Sequence, residues 1–113
     1  QSILVLEPSA FFRKRLASGL AASGRWQVRE AGSRGEAESL LEAYPVDLVV
    51  TEIQDAEGDL YAWLAQQWER GRFRVALGST SSRDLGGWES AEWLEGTLFK
   101  PYPMEQLLHA IEN

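Results

Sequence analysis

The sequence lacks several of the residues on which catalytic and metal sites depend. It contains no cysteine and one histidine, His109, which excludes a disulfide framework, a thiolate metal site, a histidine cluster and a serine–histidine triad. No nucleophile is paired with a general base anywhere in the chain, so we do not expect an enzyme. A chain without cysteine is compatible with a reducing compartment, and we expect a cytoplasmic location.

Positive charge is also scarce, and long apolar runs are absent. The chain has 17 acidic and 11 basic residues, a formal net charge of −6. Nucleic acids and anionic membranes bind basic surfaces, so we expect neither as a partner. No apolar run approaches the roughly 18 residues of a membrane span, and no signal-peptide pattern precedes Ile3. Because the chain begins at Gln1 rather than Met, we expect residues 1–113 to form one domain of a longer multidomain protein.

The most informative stretch is a β-branched apolar run, residues 46–52, which ends at an acidic residue. Such a run predicts a central parallel strand that is buried on both faces. Further strands are predicted at residues 2–6, 26–31, 73–77 and 97–99. Helical patterns lie between the strands and after the last one. The fourth, residues 83–94, should be short or distorted, since Gly86 and Gly87 each disfavour a helix interior by about 1 kcal/mol. This alternation predicts an α/β fold with a doubly wound five-stranded parallel sheet, (βα)5, and right-handed crossovers.

Three charged residues follow strands at the same edge of the predicted sheet. Glu7 follows the first strand, Glu52 ends the third, and Lys100 follows the fifth. The carboxyl ends of parallel strands share one edge, where open α/β sheets place their ligands. We therefore expect these three side chains to meet, and this edge is the candidate functional site.

The order and the flanking sequence of these residues resemble the receiver domain of two-component response regulators, over essentially the whole chain. The stretches that carry the resemblance are Ile3-Leu4-Val5-Leu6-Glu7-Pro8, Asp47-Leu48-Val49-Val50-Thr51-Glu52-Ile53 and Phe99-Lys100-Pro101-Tyr102-Pro103. In a receiver the first stretch ends in an acidic pair and the second in the aspartate that accepts a phosphoryl group. These acids together bind Mg²⁺, and the third stretch carries a pocket lysine. The resemblance implies a flavodoxin-like fold and a role in bacterial signal transduction.

The sequence departs from the receiver pattern at the residues that carry the chemistry. Pro8 replaces the second acid and offers no side-chain oxygen to Mg²⁺, which requires near-octahedral oxygen ligands at about 2.0–2.1 Å. Glu52 replaces the phosphoacceptor aspartate and places its carboxylate one methylene further out, where in-line attack is spoiled. We therefore predict a degenerate receiver that is not phosphorylated and has no cofactor. Weak residual Mg²⁺ binding by Glu7, Glu52 and the backbone carbonyl near Gln54 is left open.

The switch positions of a receiver are altered as well. The hydroxyl residue after the fourth strand aligns best with Gly78, and Ser79 or Thr80 are the nearest substitutes. Thr97 replaces the ring that acts as a switch three residues before the lysine. Lys100 is the one functional residue that matches unchanged.

Two interpretations of Glu52 follow. In one, its carboxylate mimics the phosphorylated state by pairing with Lys100 and holds an active-like conformation. In the other, the two residues form a partly buried ion pair with a structural role. The sequence favours the structural pair, because Gly78 and Thr97 lack the groups that would transmit a locked signal.

Three aromatic residues, Trp88, Trp93 and Tyr102, map to the fourth helix, its end and the turn before the fifth helix. Receivers use that face to dimerise and to contact output domains, and surface aromatics are typical interface anchors. We predict a protein–protein interaction module that contacts an output domain of the same chain or another signalling protein. A homodimer through the fourth helix, fifth strand and fifth helix is also expected, although Trp93 could instead simply cover the sheet edge.

A second function of a different class is a small-molecule or anion sensor. It would use Glu7, Glu52 and Lys100 together with the hydroxyl-rich residues 79–82, which follow the fourth predicted strand. Ligand-dependent stabilisation would distinguish a sensor from an interaction module.

Overall fold

A five-stranded parallel sheet forms the centre of the protein in the computed structural model, which describes residues 1–53 and 59–112. The strands are β1 (Ser2–Leu6), β2 (Gln27–Ala31), β3 (Leu48–Glu52), β4 (Val75–Thr80) and β5 (Leu94–Phe99). Their order across the sheet is β2-β1-β3-β4-β5, and every neighbouring pair is parallel. The predicted doubly wound α/β fold is confirmed.

Helices cover both faces of this sheet. They are α1 (Ala10–Ala22), α2 (Arg34–Ala43), α3 (Leu60–Glu69) and α4 (Met104–Glu112). Ile3 and Val5 of β1 pack in one core cluster with buried residues of α1 and α4, whereas Leu4 and Leu6 pack in a second cluster with residues of α2 and α3. This alternation explains the continuous apolar run of β1, since a strand covered on both faces has no side that can be polar. No described helix is long and apolar enough to cross a bilayer.

Helix α1 begins where the sequence predicts, at the Ser9 cap. The Ser9 hydroxyl accepts a hydrogen bond from the Phe12 backbone N–H at 3.3 Å, which satisfies one of the free donors of the first turn. Leu16 and Leu20 lie on the buried face of the helix. The same start places Phe12 and Arg13 beside the carboxyl edge of the sheet.

The fourth predicted helix is reduced to a single 3₁₀ turn, Trp88–Ser90. Just before it, Gly86 and Gly87 have φ values of +60° and +90°, in the left-handed region. Such residues cannot continue a right-handed helix, so the chain crosses this face in an irregular path. The fifth predicted helix is therefore α4 of the structure.

Strand β4 runs to Thr80, three residues beyond its predicted end, and β5 begins at Leu94 rather than Thr97. Ser79 and Thr80 are buried, with exposed fractions of 1% and 0%, and pair with residues of β5. Their hydroxyls are bonded inside the protein; that of Thr80 accepts from the Ser82 backbone N–H at 3.0 Å. Residues 78–80, predicted as loop, are thus part of an inner strand.

The prediction that Trp88 and Trp93 are surface anchors is wrong. Their exposed fractions are 8% and 3%, and their ring centroids lie 5.8 Å apart in an edge-to-face contact. The centroid of Trp93 also lies 5.3 Å from that of Tyr61 and 6.1 Å from that of Phe73. With no full helix between β4 and β5, these large rings cover the sheet and join its core.

Candidate functional site

The three charged residues at the carboxyl edge of the sheet meet in one cluster. The ammonium of Lys100 donates to Glu7 Oε1 at 3.0 Å and to Glu52 Oε2 at 2.5 Å. Glu7 follows β1, Glu52 ends β3 and Lys100 follows β5, so three strands that end at one edge supply the cluster. The structure thus brings together the charged residues that the strand ends predict.

Glu7 is held on every side. Only 3% of the residue is exposed, and its second carboxylate oxygen accepts from the Ser9 backbone N–H at 3.0 Å. Its carbonyl accepts from the Arg13 guanidinium at 2.9 Å, and its N–H donates to the Ala31 carbonyl at 3.0 Å. Such a carboxylate is fixed in place, because both of its oxygens and its backbone are bonded.

Lys100 is largely enclosed by these partners and by an aromatic ring. Its side chain is 20% exposed, and its ammonium lies 4.4 Å from the centroid of the Phe12 ring, in cation–π range. Burial alone would lower the pKa of Lys100, but the hydrogen bonds and charges of Glu52 and Glu7 outweigh it and raise that pKa. The ammonium is therefore a permanent positive charge at neutral pH.

Ser79 and Tyr102 form a neutral pair beside the ionic cluster. Ser79 is the cross-strand partner of Glu52, and its hydroxyl lies 2.9 Å from that of Tyr102. The Tyr102 ring meets the edge of Phe12, with centroids 5.8 Å apart. Burial raises the pKa of Tyr102, and this effect exceeds the lowering by the Ser79 bond and the Lys100 charge. Both residues are predicted site residues, Ser79 as a switch position and Tyr102 as part of the interaction face, but the predicted fourth strand ends before Ser79 and so does not bring them together.

Gly78 does not occupy the position level with Glu52. A Cβ built on Gly78 would lie 2.3 Å from Ile53 Cδ1 and 3.4 Å from Thr97 Oγ1, so this residue faces the other side of the sheet. Successive residues of a strand point to opposite faces, and it is Ser79 that shares the face of Glu52. Among the three predicted switch positions, Ser79 lies beside the ionic cluster and Gly78 and Thr97 lie together on the opposite face.

The described residues do not fit the Mg²⁺ ion that the receiver resemblance implies. The Lys100 ammonium already lies between the Glu7 and Glu52 carboxylates, where a shared cation would sit. Pro8 is exposed and has no side-chain donor. Mg²⁺ binding would need one or two carboxylates that are free to enter a near-octahedral set of oxygen ligands. Gln54, near which the sequence offers a backbone carbonyl as a ligand, lies outside the described residues.

The same cluster is poorly suited to an anion. Its one described cation, Lys100, is already bound by two carboxylates, which would repel a second anion. Ser79 is committed to Tyr102, and Thr80 is buried in β4. Of the hydroxyl-rich residues 79–82, only Ser81 and Ser82 lie beyond the strand, so the structure gives the sensor hypothesis little support.

Several solved structures share this fold. The structure superposes on the chemotaxis protein CheY4 of Vibrio cholerae with a TM-score of 0.84 at 18% identity, covering 98% of this chain and 95% of that one. A DNA-binding response regulator of the LuxR family from Staphylococcus aureus gives 0.80 at 17%, with coverage of 98% and 95%. The signal receiver domain of an HD domain-containing protein from Pseudomonas fluorescens gives 0.82 at 24%, with coverage of 98% and 90%. The neighbours share the receiver fold, while no known family profile and no curated protein sequence matches the chain.

Proposed function

We propose that this chain is an atypical receiver domain of two-component signalling that acts as a phosphorylation-independent protein–protein interaction module. The observation that carries the proposal is that the Lys100 ammonium bridges the carboxylates of Glu7 and Glu52. This bridge lies in the pocket where a receiver would bind its metal. The shared fold of the receiver structures supports the coarser part of the proposal.

The bridge opposes phosphoryl transfer because it occupies both carboxylates. Transfer to a carboxylate requires the attacking oxygen in line with the phosphorus and positive charge to stabilise the transition state. Glu52 is held by Lys100 at 2.5 Å, and Glu7 by Lys100 and the Ser9 N–H, so neither carboxylate is available as a metal ligand. The ammonium offsets one of the two negative charges of Glu7 and Glu52, and in this proposal its role is structural.

The partner in this proposal is an output domain of the same chain or a separate signalling protein in the cytoplasm. Two of the similar structures carry names that join a receiver to such a function, a DNA-binding response regulator and an HD domain-containing protein. A homodimer would use the face of β5 and α4, since the fourth helix of the sequence prediction is only a 3₁₀ turn. Trp88 and Trp93 are buried and do not contribute anchors to it.

Amide NMR spectra titrated with Mg²⁺, and then with Mg²⁺ plus beryllofluoride, test the proposal. We expect no saturable shift at Glu7, Ser79 or Lys100 in the native chain. The matched control is the double variant Pro8→Asp, Glu52→Asp, which adds the missing oxygen and shortens the acceptor, and which should respond to Mg²⁺. Saturable shifts in the native chain at millimolar Mg²⁺, increased by beryllofluoride, would show a working phosphorylation pocket and overturn the proposal.

A further inference from the structure

A cavity of about 220 Å³ lies at the amino edge of the sheet, the edge opposite the ionic cluster. Its apolar wall includes Ile3, Leu48 and Leu77, which are buried in one core cluster, together with Ala110 and Ile111 from the last turn of α4. Sites for drug-sized ligands usually measure about 300–1,000 Å³. This cavity is smaller, so it has room for a small organic molecule.

The cavity crosses the sheet in the order of its strands. Its lining runs from Trp26, which precedes β2, past Ile3 of β1 and Leu48 of β3 to Val75 of β4 and Glu95 of β5. Four strand spacings of about 4.8 Å give it a length of up to about 19 Å, and a volume of about 220 Å³ over that length is narrow. A narrow, elongated cavity with apolar walls fits an unbranched chain better than a compact or branched ligand.

A β-bulge brings an acidic residue to one end of this cavity. Ala76 of β4 is level with Leu94 of β5. The next residue of β4, Leu77, is level with Gly96, so Glu95 is an extra residue in β5. Bulges redirect side chains and are frequent beside functional sites. Gly96 leaves the neighbouring position open, since a Cβ built there would meet only Leu77 Cδ2 within 4 Å, at 3.8 Å.

The carboxylates that line the cavity are not fully used inside the protein. Glu95 is exposed, and its carboxylate has no hydrogen bond or ion pair with another described residue. One oxygen of Asp47 accepts from the Ser2 backbone N–H at 2.8 Å, and the other lies 4.0 Å from Arg74 Nη1, beyond hydrogen-bond distance. The two carboxylates and this one guanidinium leave a net charge of −1 on the side chains that line the cavity, which favours a cation over an anion.

We propose that this cavity binds a protonated alkylamine, an unbranched apolar chain with a terminal ammonium. The chain lies along the apolar wall, where burial of each methylene is favourable, and the ammonium pairs with the Glu95 carboxylate. Such an amine is protonated at neutral pH, as a lysine side chain is. A fatty acid fits less well, because its carboxylate would lie beside Glu95 and Asp47, and a neutral alcohol leaves Glu95 without an opposite charge.

Amide NMR spectra of the intact chain, titrated with hexylamine at neutral pH, test the proposal. We expect saturable shifts at Ile3, Leu48 and Ala110 at about millimolar concentration, which is ordinary for a ligand of this size, and no shift at Lys100. Butylamine should bind about fifteenfold more weakly than hexylamine, because each buried methylene is worth about fourfold. Hexanol and hexanoate have the same chain length but are neutral and anionic, and they should bind about tenfold more weakly or worse.

Two variants with matched controls test the two parts of the site. Glu95→Gln removes the charge that holds the ammonium and should weaken hexylamine binding about tenfold, whereas Glu105→Gln, the same change at the other end of α4, should leave it unchanged. Ala110→Leu fills the cavity and should abolish saturable binding, whereas Ala62→Leu, the same change at an exposed position of α3, should not. Thermal unfolding shows whether each variant keeps the fold. Glu95 is exposed, so Glu95→Gln stays informative if Ala110→Leu unfolds.

Three results would each overturn the proposal: no saturable binding by the native chain, hexanol binding as tightly as hexylamine, or equal affinities of the Glu95→Gln and Glu105→Gln variants. Shifts at Glu7 and Lys100 in place of those at Ile3 and Leu48 would assign the amine to the ionic cluster and would also overturn it. The proposal goes beyond the function proposed above, and either can fail without the other, because the two sites lie at opposite edges of the sheet.

Discussion

The hydroxyl oxygens of Ser79 and Tyr102 lie 2.9 Å apart, in a hydrogen bond that ties the end of β4 to the turn before α4. Ser79 is 1% exposed, so its hydroxyl has little access to water. The bond holds the Tyr102 ring against Phe12, and Phe12 in turn covers the ammonium of Lys100. The ionic cluster is thereby closed by side chains from α1, β4 and the turn that follows β5.

Replacing Tyr102 with phenylalanine removes this bond and keeps the ring. We expect Tyr102→Phe to lower the free energy of unfolding by about 1 kcal/mol, because a buried hydroxyl loses its partner. Urea denaturation measures the change, and Tyr44→Phe is the control, since Tyr44 is 43% exposed. Equal stability of the two variants would show that the Ser79–Tyr102 bond contributes nothing.

Alkaline pH should weaken the same region. The folded-state pKa values of Tyr102 and Lys100 are both raised, so both groups bind their protons more tightly in the folded than in the unfolded chain. The stability that they contribute is complete below the ordinary values of 10.0 and 10.5 and is lost as the pH rises through the raised values. We expect the urea midpoint to fall as the pH rises from these ordinary values through the raised values, and to fall less in Tyr102→Phe. A flat profile through that range would contradict the assignment.

Removing the ammonium should be more damaging than removing the hydroxyl. Lys100→Met keeps most of the side-chain volume but leaves the Glu7 and Glu52 carboxylates together without a cation. We expect a loss of about 3 kcal/mol at neutral pH, the lower end of the range for breaking a buried ion pair, because Lys100 is 20% exposed.

The matched control for this variant is Arg74→Met. Arg74 is 73% exposed in its side chain and lies 4.0 Å from Asp47, so this exposed pair should contribute less than about 1 kcal/mol. Chemical denaturation of both variants compares the two ion pairs. If Lys100→Met were as stable as Arg74→Met, the bridge would not hold the carboxyl edge together.

The sheet and the ionic cluster were predictable because their signals are local. The apolar runs of β1 and β3 each stop at an acidic residue, and the run of β5 stops at Lys100. Because parallel strands place these ends at one edge of the sheet, the meeting of Glu7, Glu52 and Lys100 could be predicted without knowing how the loops fold. The α1 start was predictable for the same reason, since Ser9 caps its own helix.

The errors arose where tertiary contacts override local preference. Gly78 and the hydroxyls after it are typical of a loop, yet pairing with β3 and β5 keeps them in β4 as far as Thr80. This misplacement hid the Ser79–Tyr102 bond, which joins residues distant in sequence. The sequence predicts a helix that carries Trp88 and ends near Trp93, and the resemblance to receivers implies that this helix lies on an interaction surface. No periodic pattern reveals that the chain instead folds these rings onto the sheet.

The corrected position of Trp93 leads to a prediction about stability. Trp93→Ala should lower the free energy of unfolding by about 3–5 kcal/mol, because it removes a buried ring that contacts three other aromatic rings. Phe11→Ala is the control, and at 75% exposure it should change stability by less than about 0.5 kcal/mol. A small loss in Trp93→Ala, accompanied by a change of oligomeric state in light scattering, would restore the surface-anchor interpretation.

The chemistry of the pocket leads to a prediction about phosphorylation. Glu52→Asp alone should not be phosphorylated by acetyl phosphate, because Pro8 still provides no side-chain oxygen for the metal site. Intact-protein mass spectrometry with Mg²⁺ present measures the added phosphate, and the control is Glu52→Asp combined with Pro8→Asp, which supplies the second acid. Phosphate on the double variant alone would show that the metal site, and not the acceptor length, is limiting. Stoichiometric phosphate on Glu52→Asp alone would contradict the proposal that Pro8 prevents phosphorylation by removing a metal ligand.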